Sequence, residues 1–165
     1  CLMEGSRPVL VEVQALVNPT SFGFPVRKAS GFDLNRLHVL IAVLQKRAGL
    51  NLSQHDVHIN IVGGIKAKEP AADLAVCLAI ASAFKDKVLG NDLAVFGEVG
   101  LGGEIRTVRF TERRVKECGV LGMKRVITKV VDSLPAGQAG RHLTVDRSVQ
   151  TINVKNIGEL VRHTW

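Results

Sequence analysis

The sequence predicts one α+β domain spanning residues 1–165, built of β-α-β units with a mixed sheet packed against helices. Three observations carry that prediction. Short runs of period-two apolar alternation are interleaved with longer runs at helical spacing, the order in which strands are joined through packed helices. The chain has 165 residues, 46% of them hydrophobic and 22% charged, enough for one buried core and too apolar for a disordered tail. Neither an internal repeat nor a low-complexity stretch interrupts it.

The elements follow in order. Val9, Val11, Val13 and Ala15 alternate with Leu10, Glu12, Gln14 and Leu16, the period of a strand. Asn18 to Phe24, with Pro19 and Gly23 and followed by Pro25, reads as a turn or mobile loop; Arg27 and Lys28 come next, near a second short strand. Asp33 is a suitable N-cap for a helix from Leu34 to Ala48, whose apolar stripe is Leu34, Leu37, Leu40, Ile41 and Leu44, and Gly49 stops it. Val57, Ile59 and Ile61 alternate in another strand closed by Gly63 and Gly64. Ala71 to Phe84 is apolar almost all round, which predicts a helix buried on most sides. Leu93 to Val99 reads as a short buried strand, turned by Gly100, Gly102 and Gly103 into a hairpin with Glu104-Ile105-Arg106. A basic helix from Thr111 to Leu121, a strand at Arg125 to Ile127, a loop at Pro135 to Gly140 and a short helix at Ile157 to Val161 complete the chain.

Charge supplies the first functional indication. The formal net charge is +7, and the excess concentrates between Arg106 and Arg147, where ten Lys or Arg stand against four Asp or Glu. A basic surface favours nucleic acid through phosphate neutralisation. No apolar run approaches the ~18 residues of a transmembrane helix. The chain starts on Cys1 without a signal-peptide pattern and without an initiator Met, as a piece of something longer would. Cys1, Cys77 and Cys118 are odd in number and widely spaced, which points to a reducing cytoplasm and away from a zinc site or disulfide framework.

No catalytic constellation stands out. A Walker-type GxxxxGK[ST] loop is missing, and Gly100 to Ile105 departs from GxGxxG at Ile105. His55 and His58 are three apart on a loop-to-strand segment; with extended geometry already at His55 they point to opposite faces rather than to one metal. Ser82 and Lys85 have the spacing of a Ser–Lys pair, which helices generate often by chance. Cys77 lies in the all-apolar stretch as a core residue.

Two runs change the reading: Gly63 to Ala75 (GGIKAKEPAADLA) and Phe96 to Arg106 (FGEVGLGGEIR). With the opening Glu4 to Val17 (EGSRPVLVEVQALV) and Asn35-Arg36-Leu37, they resemble the carboxy-terminal domain of the bacterial RadA (Sms) family of DNA repair proteins. That domain belongs to the Lon protease proteolytic-domain superfamily, so the resemblance implies a Lon-like α+β fold. Lon proteases use a nucleophilic Ser after their Pro-Lys-Asp-Gly-Pro segment and a Lys about forty residues later to take its proton. Laying the segments together puts Ala72 at the Ser position and Glu112 at the Lys position, so the resemblance implies a domain without protease activity.

The family further implies a hexameric, ATP-driven helicase acting on branch migration of recombination intermediates, together with a RecA-type recombinase. Its zinc finger and RecA-like ATPase core have no counterpart in this sequence, so ATP, magnesium and zinc are expected only in a longer parent protein. The role implied for this portion is an oligomerisation scaffold with a basic surface for duplex or branched DNA, read without sequence preference. The candidate DNA contacts are Arg27, Lys28, Arg106, Arg109, Arg113 and Arg114. Family members usually read Pro-Val-Pro-x-Gly-Gln-Glu-Arg where this chain has Thr107 to Arg114 (TVRFTERR), which loses two prolines and a glycine and gains basic residues. Arg36 is expected to tether a neighbouring carboxylate, and Asp73 and Glu98 to act as caps or buried partners. Two other readings compete: a structural hexamerisation domain without DNA contact, and a divergent serine peptidase with a relocated nucleophile such as Ser82.

Overall fold

The computed structural model describes residues 1–21, 23–130 and 149–164; Phe22 and the loop expected at 135–140 lie outside them. Among the described residues the predicted α+β class holds, but the strands divide into two three-stranded sheets and two small hairpins rather than one mixed sheet. β1 (Leu2–Glu4) and β2 (Arg7–Val9) pair antiparallel, a hairpin that local alternation did not announce. β3 (Val13–Pro19) lies antiparallel to β5 (His55–Ile61), and β5 is parallel to β4 (Arg27–Ser30). This first sheet is the mixed one. β6 (Leu93–Val95), β9 (Arg125–Thr128) and β10 (Gln150–Asn153) form the second, parallel throughout, with β9 in the middle. β7 (Glu98–Val99) and β8 (Ile105–Arg106) make the expected glycine-turned hairpin.

The first long strand sits further along the chain than alternation alone placed it. Val13, Ala15 and Val17 turn inward and Glu12, Gln14 and Leu16 outward, and the seven residues of β5 opposite carry the ladder to Pro19. Residues 18–19 are therefore strand, not loop. The single strand expected at 93–99 is broken at Phe96-Gly97. There the Gly97 amide donates to the Ala71 carbonyl and its carbonyl accepts from Leu74, so the backbone serves the start of a helix instead of a ladder.

α1 (Leu34–Ala48) matches its predicted bounds. The Asp33 carboxylate accepts from the Arg36 amide at 2.7 Å, and Gly49 ends the helix in the left-handed region. Leu37, Leu40, Ile41, Val43 and Leu44 are buried on one face, each contributing about 1.5–3 kcal/mol at most. α2 (Asp73–Lys85) follows a 3-10 turn at Pro70–Ala72 and buries Leu74, Val76, Cys77, Leu78, Ile80 and Ala81. α3 (Thr111–Val120) connects β6 to β9, and α4 (Ile157–His163) packs on α1 and α2. The main core joins α1, α2 and α4 to both sheets, and a smaller cluster of Phe96, Val115, Cys118 and Val126 seats α3.

One glycine fixes the geometry around the later site. Gly31 has φ +75°, and a Cβ there would lie 2.6 Å from the Ile65 carbonyl oxygen and 2.8 Å from the Ile61 side chain. Only glycine lets the β4–α1 connection lie directly against the segment before α2.

Candidate nucleic-acid interface

The residue matched to the protease nucleophile is buried. Ala72 is 4% exposed and packs with Leu2, Ile61 and Ala67. Residues 65–76 contain no Ser, Thr or Cys, so the segment leading into α2 supplies no hydroxyl or thiol of its own. Glu112 lies in the first turn of α3, exposed, where its charge complements the helix dipole. Ser82 donates its hydroxyl to the Lys87 carbonyl, and Cys77 is fully buried, which pushes its thiol far above its usual range. His55 and His58 both lie on β5. Among the described residues, no group of three or more His, Cys, Asp or Glu side chains is placed to hold a metal, and no helix is long and apolar enough to cross a membrane.

Arg36, Lys66, Lys68, Glu69 and Asp73 are among the residues that line a cavity of about 510 Å³, and two of its carboxylates belong to ion pairs. Asp73 is 1% exposed. It accepts from Arg36 through Nε at 3.1 Å and through Nη2, and from the Val99 amide at 3.2 Å. Arg36 also reaches the Val99 carbonyl at 2.6 Å, so the tether expected of it is present and joins α1, α2 and β7. Burial pushes the Asp73 carboxyl up, against the downward pull of Arg36 and the Val99 amide.

The second pair corrects one expected DNA contact. Arg114 is 1% exposed and faces inward. Its guanidinium donates to both Glu69 carboxylate oxygens at 2.6 and 3.0 Å, to the Cys1 carbonyl at 2.6 Å and to the Arg109 carbonyl at 2.9 Å. It also sits 5.7 Å from the centre of the Phe96 ring. All three guanidinium nitrogens donate inside the fold, and the burial of the side chain turns Arg114 away from a phosphate in solution. The apolar stripe of α3 explains this: Arg114, Val115 and Cys118 share the buried face. That spacing is visible in the sequence, although Glu69, the partner 45 residues away, is not marked by it.

Arg27 is likewise structural. Its guanidinium donates to the Val26 carbonyl at 3.2 Å, to the Leu52 carbonyl at 2.8 Å and to the His55 carbonyl. Beside it Asp56 accepts from the Val26 amide at 2.7 Å, and together the two side chains pin the start of β4 to β5. The donated amide holds the Asp56 carboxyl below the ordinary carboxylate range. A folded-state value below the unfolded one means that the unfolded chain takes up the proton first. The stabilisation is therefore complete above the ordinary carboxylate range and is lost as pH falls through the lowered value. Asp56→Asn is expected to flatten the loss of thermal stability between about pH 5 and pH 2, read by circular dichroism, without abolishing it, since Asp92 and Glu104 are lowered too. An unchanged acid slope would remove Asp56 from this role.

Arg106 is exposed, but Glu104 at 2.7 Å and Glu98 at 3.4 Å already compensate its charge. Lys28 is exposed on β4, in the first sheet, away from the helix that carries the remaining cations. Arg109, Arg113 and Lys116 are exposed on α3 and the turn before it, and none forms an ion pair among the described residues. Arg113 approaches the Ser6 carbonyl at 3.5 Å, which brings the β1–β2 turn beside this patch. Of the six candidates, then, Arg109 and Arg113 are brought together, with no ion-pair partner among the described residues. Lys116 and the ring of Phe110 join them, although neither was singled out from the sequence.

Comparison with known proteins agrees with this architecture. The family model for the Lon protease (S16) C-terminal proteolytic domain matches residues 41–163. The chain is 46% identical over 160 residues to DNA repair protein RadA of Bacillus subtilis, an alignment covering 97% of this chain and 33% of the relative. It is 44% identical over 163 residues to DNA repair protein RadA of Streptococcus pneumoniae, covering 99% and 37%. With that of Aquifex aeolicus the identity is 50% over 124 residues, covering 75% and 28%. The chain spans about a third of the length of these curated relatives. A nearly full-length match to bacterial RadA proteins, on a fold whose model covers most of the chain, leaves one conclusion: the chain belongs to the family of Lon protease (S16) C-terminal proteolytic domains.

Proposed function

We propose that this chain is a non-proteolytic scaffold within a DNA repair protein, and that it holds duplex or branched DNA by the phosphates. The single observation that carries the reading is the cluster of exposed cations on and before α3, Arg109, Arg113 and Lys116, without ion-pair partners among the described residues. Such a cluster neutralises phosphates without reading base edges. Lys28 is a secondary contact and Arg106 a weak one, since its charge is already met. Loss of proteolysis is supported by the alanines at 71 and 72 and by the lack of Ser, Thr or Cys among residues 65–76.

The same proposal extends to the longer protein. It would work in the cytoplasm as a ring of six subunits, with its ATP, magnesium and zinc chemistry in other domains and a RecA-type recombinase as partner. There it would drive branch migration, and several weak contacts would add through avidity.

Two assays test the part played by this chain. Duplexes of unrelated sequence are expected to bind with affinities within about twofold of one another, falling by tens to hundreds of times between about 50 and 200 mM salt. Casein and fluorogenic peptides are expected to show no turnover, in the wild-type chain or in Ser82→Ala. Sequence-selective binding would contradict phosphate contact as its basis, and turnover abolished by Ser82→Ala would contradict the non-proteolytic reading.

A further inference from the structure

We infer that Phe110 is a stacking platform for an unpaired nucleic-acid base, with Arg109 and Arg113 holding the adjoining phosphates. This inference rests on the DNA-binding reading above and adds to it a site for single-stranded nucleic acid.

The backbone carries the first part of the argument. Phe110 sits at φ +60°, ψ +32°, one of only two non-glycine residues among those described that have positive φ. That conformation costs an L-residue about 1–2 kcal/mol, and glycine or asparagine adopts it more readily. The position is firmly determined by its surroundings. The Phe110 carbonyl accepts from the Arg114 amide at 3.0 Å, and Thr111 donates its hydroxyl to the Val108 carbonyl at 2.8 Å. The turn thus requires the strained geometry, yet an aromatic residue supplies it.

Burial does not account for the ring. Phe110 is 51% exposed and lies outside the apolar cluster that Val108, Val115 and Cys118 form beside it. Its neighbours are cationic. The Arg113 guanidinium sits over the ring, 5.6 Å from its centre, with Arg109 preceding it and Lys116 one turn beyond Arg113, while Glu112 is exposed and Glu117 half-buried on the same helix. A guanidinium on one face and an exposed remainder match what a flat, electron-rich base stacks upon, with positive charge at hand for the phosphates on either side. Bases within a duplex are already stacked and paired, so only an unpaired one can lie flat on the ring. The occupant is therefore a single strand, such as a branched substrate exposes at its junction.

The experiment compares three probes on the 165-residue chain by fluorescence anisotropy: oligothymidylate, an abasic oligomer of equal length, and a blunt duplex. Phe110→Ala is expected to weaken oligothymidylate binding by about fivefold to a hundredfold, and to leave the abasic oligomer and the duplex within about twofold. Phe110→Leu keeps apolar bulk but not the aromatic face, so it should behave as Phe110→Ala does; unchanged thermal melts would confirm that both variants fold. Equal losses on thymidylate and abasic oligomer, retention of affinity in Phe110→Leu, or a change of oligomeric state as the only effect would overturn the inference. If the wild-type chain binds duplex but not oligothymidylate, this inference fails and the duplex reading stands. Binding of none of the probes would defeat both.

Discussion

Arg114→Ala is expected to lower stability by about 3–5 kcal/mol, a fall of roughly 10 °C in the melting midpoint of a chain this size, while leaving DNA affinity of the folded protein within about twofold. Arg114 is a cation 1% exposed, whose Nε, Nη1 and Nη2 donate to the Arg109 carbonyl, the Cys1 carbonyl and Glu69. Truncation strips those carbonyls of their donor and opens a void beside Phe96. Glu69→Ala should cost as much by the reverse route, since it leaves a buried guanidinium without its counter-charge. Arg114→Lys keeps the charge but cannot reach both Glu69 oxygens and two carbonyls at once, so it should fall in between. Combining Glu69→Ala with Arg114→Met should cost less than the two single losses added together, because each removes the other's unmet charge. Loss of DNA binding at unchanged stability in Arg114→Ala would return this residue to the interface.

The second large effect is expected at Asp73. Asp73→Ala removes an acceptor 1% exposed on which Arg36 and the Val99 amide converge, for a cost of about 2–4 kcal/mol. The cost is smaller than at Arg114 because Arg36 is 31% exposed and can regain water. Asp73→Asn retains one acceptor for the Val99 amide or Arg36 and should lose about half as much. Burial raises the Asp73 carboxyl above its unfolded value, so its pH contribution has the opposite sign to that of Asp56. It is fully present below the ordinary carboxylate range and is lost as pH rises through the raised value. Thermal melts of the wild type and Asp73→Asn across pH 3 to 7 should therefore differ most at the lower end of that range.

Local pattern carried much of this fold, and long-range pairing carried the rest. α1 was legible to the residue because its cap, its apolar stripe and its terminal glycine all lie within sixteen positions of one another. The β7–β8 hairpin was legible from its glycines. β3 was displaced because alternation marks a strand's faces but not its ends, which β5 sets forty residues later. The division of strands among separate sheets depends on crossovers that no window of sequence contains. At the candidate site, the tether of Arg36 was anticipated, whereas Arg27 and Arg114 were grouped with the surface cations because charge alone does not reveal what a side chain touches. For Arg114, the shared face with Val115 and Cys118 was an available warning. For Arg27, whose guanidinium caps backbone carbonyls from two other segments, no such signal exists.

The most direct test of the central claim, that an inherited peptidase scaffold now serves to hold phosphates, is the salt dependence of duplex affinity in the wild type and in an Arg109→Ala/Arg113→Ala variant. A logarithmic plot of affinity against salt should be linear for both, with the slope shallower by about two in the variant and the variant's melting midpoint unchanged. Identical slopes for the two proteins, or a wild-type affinity indifferent to salt, would contradict it.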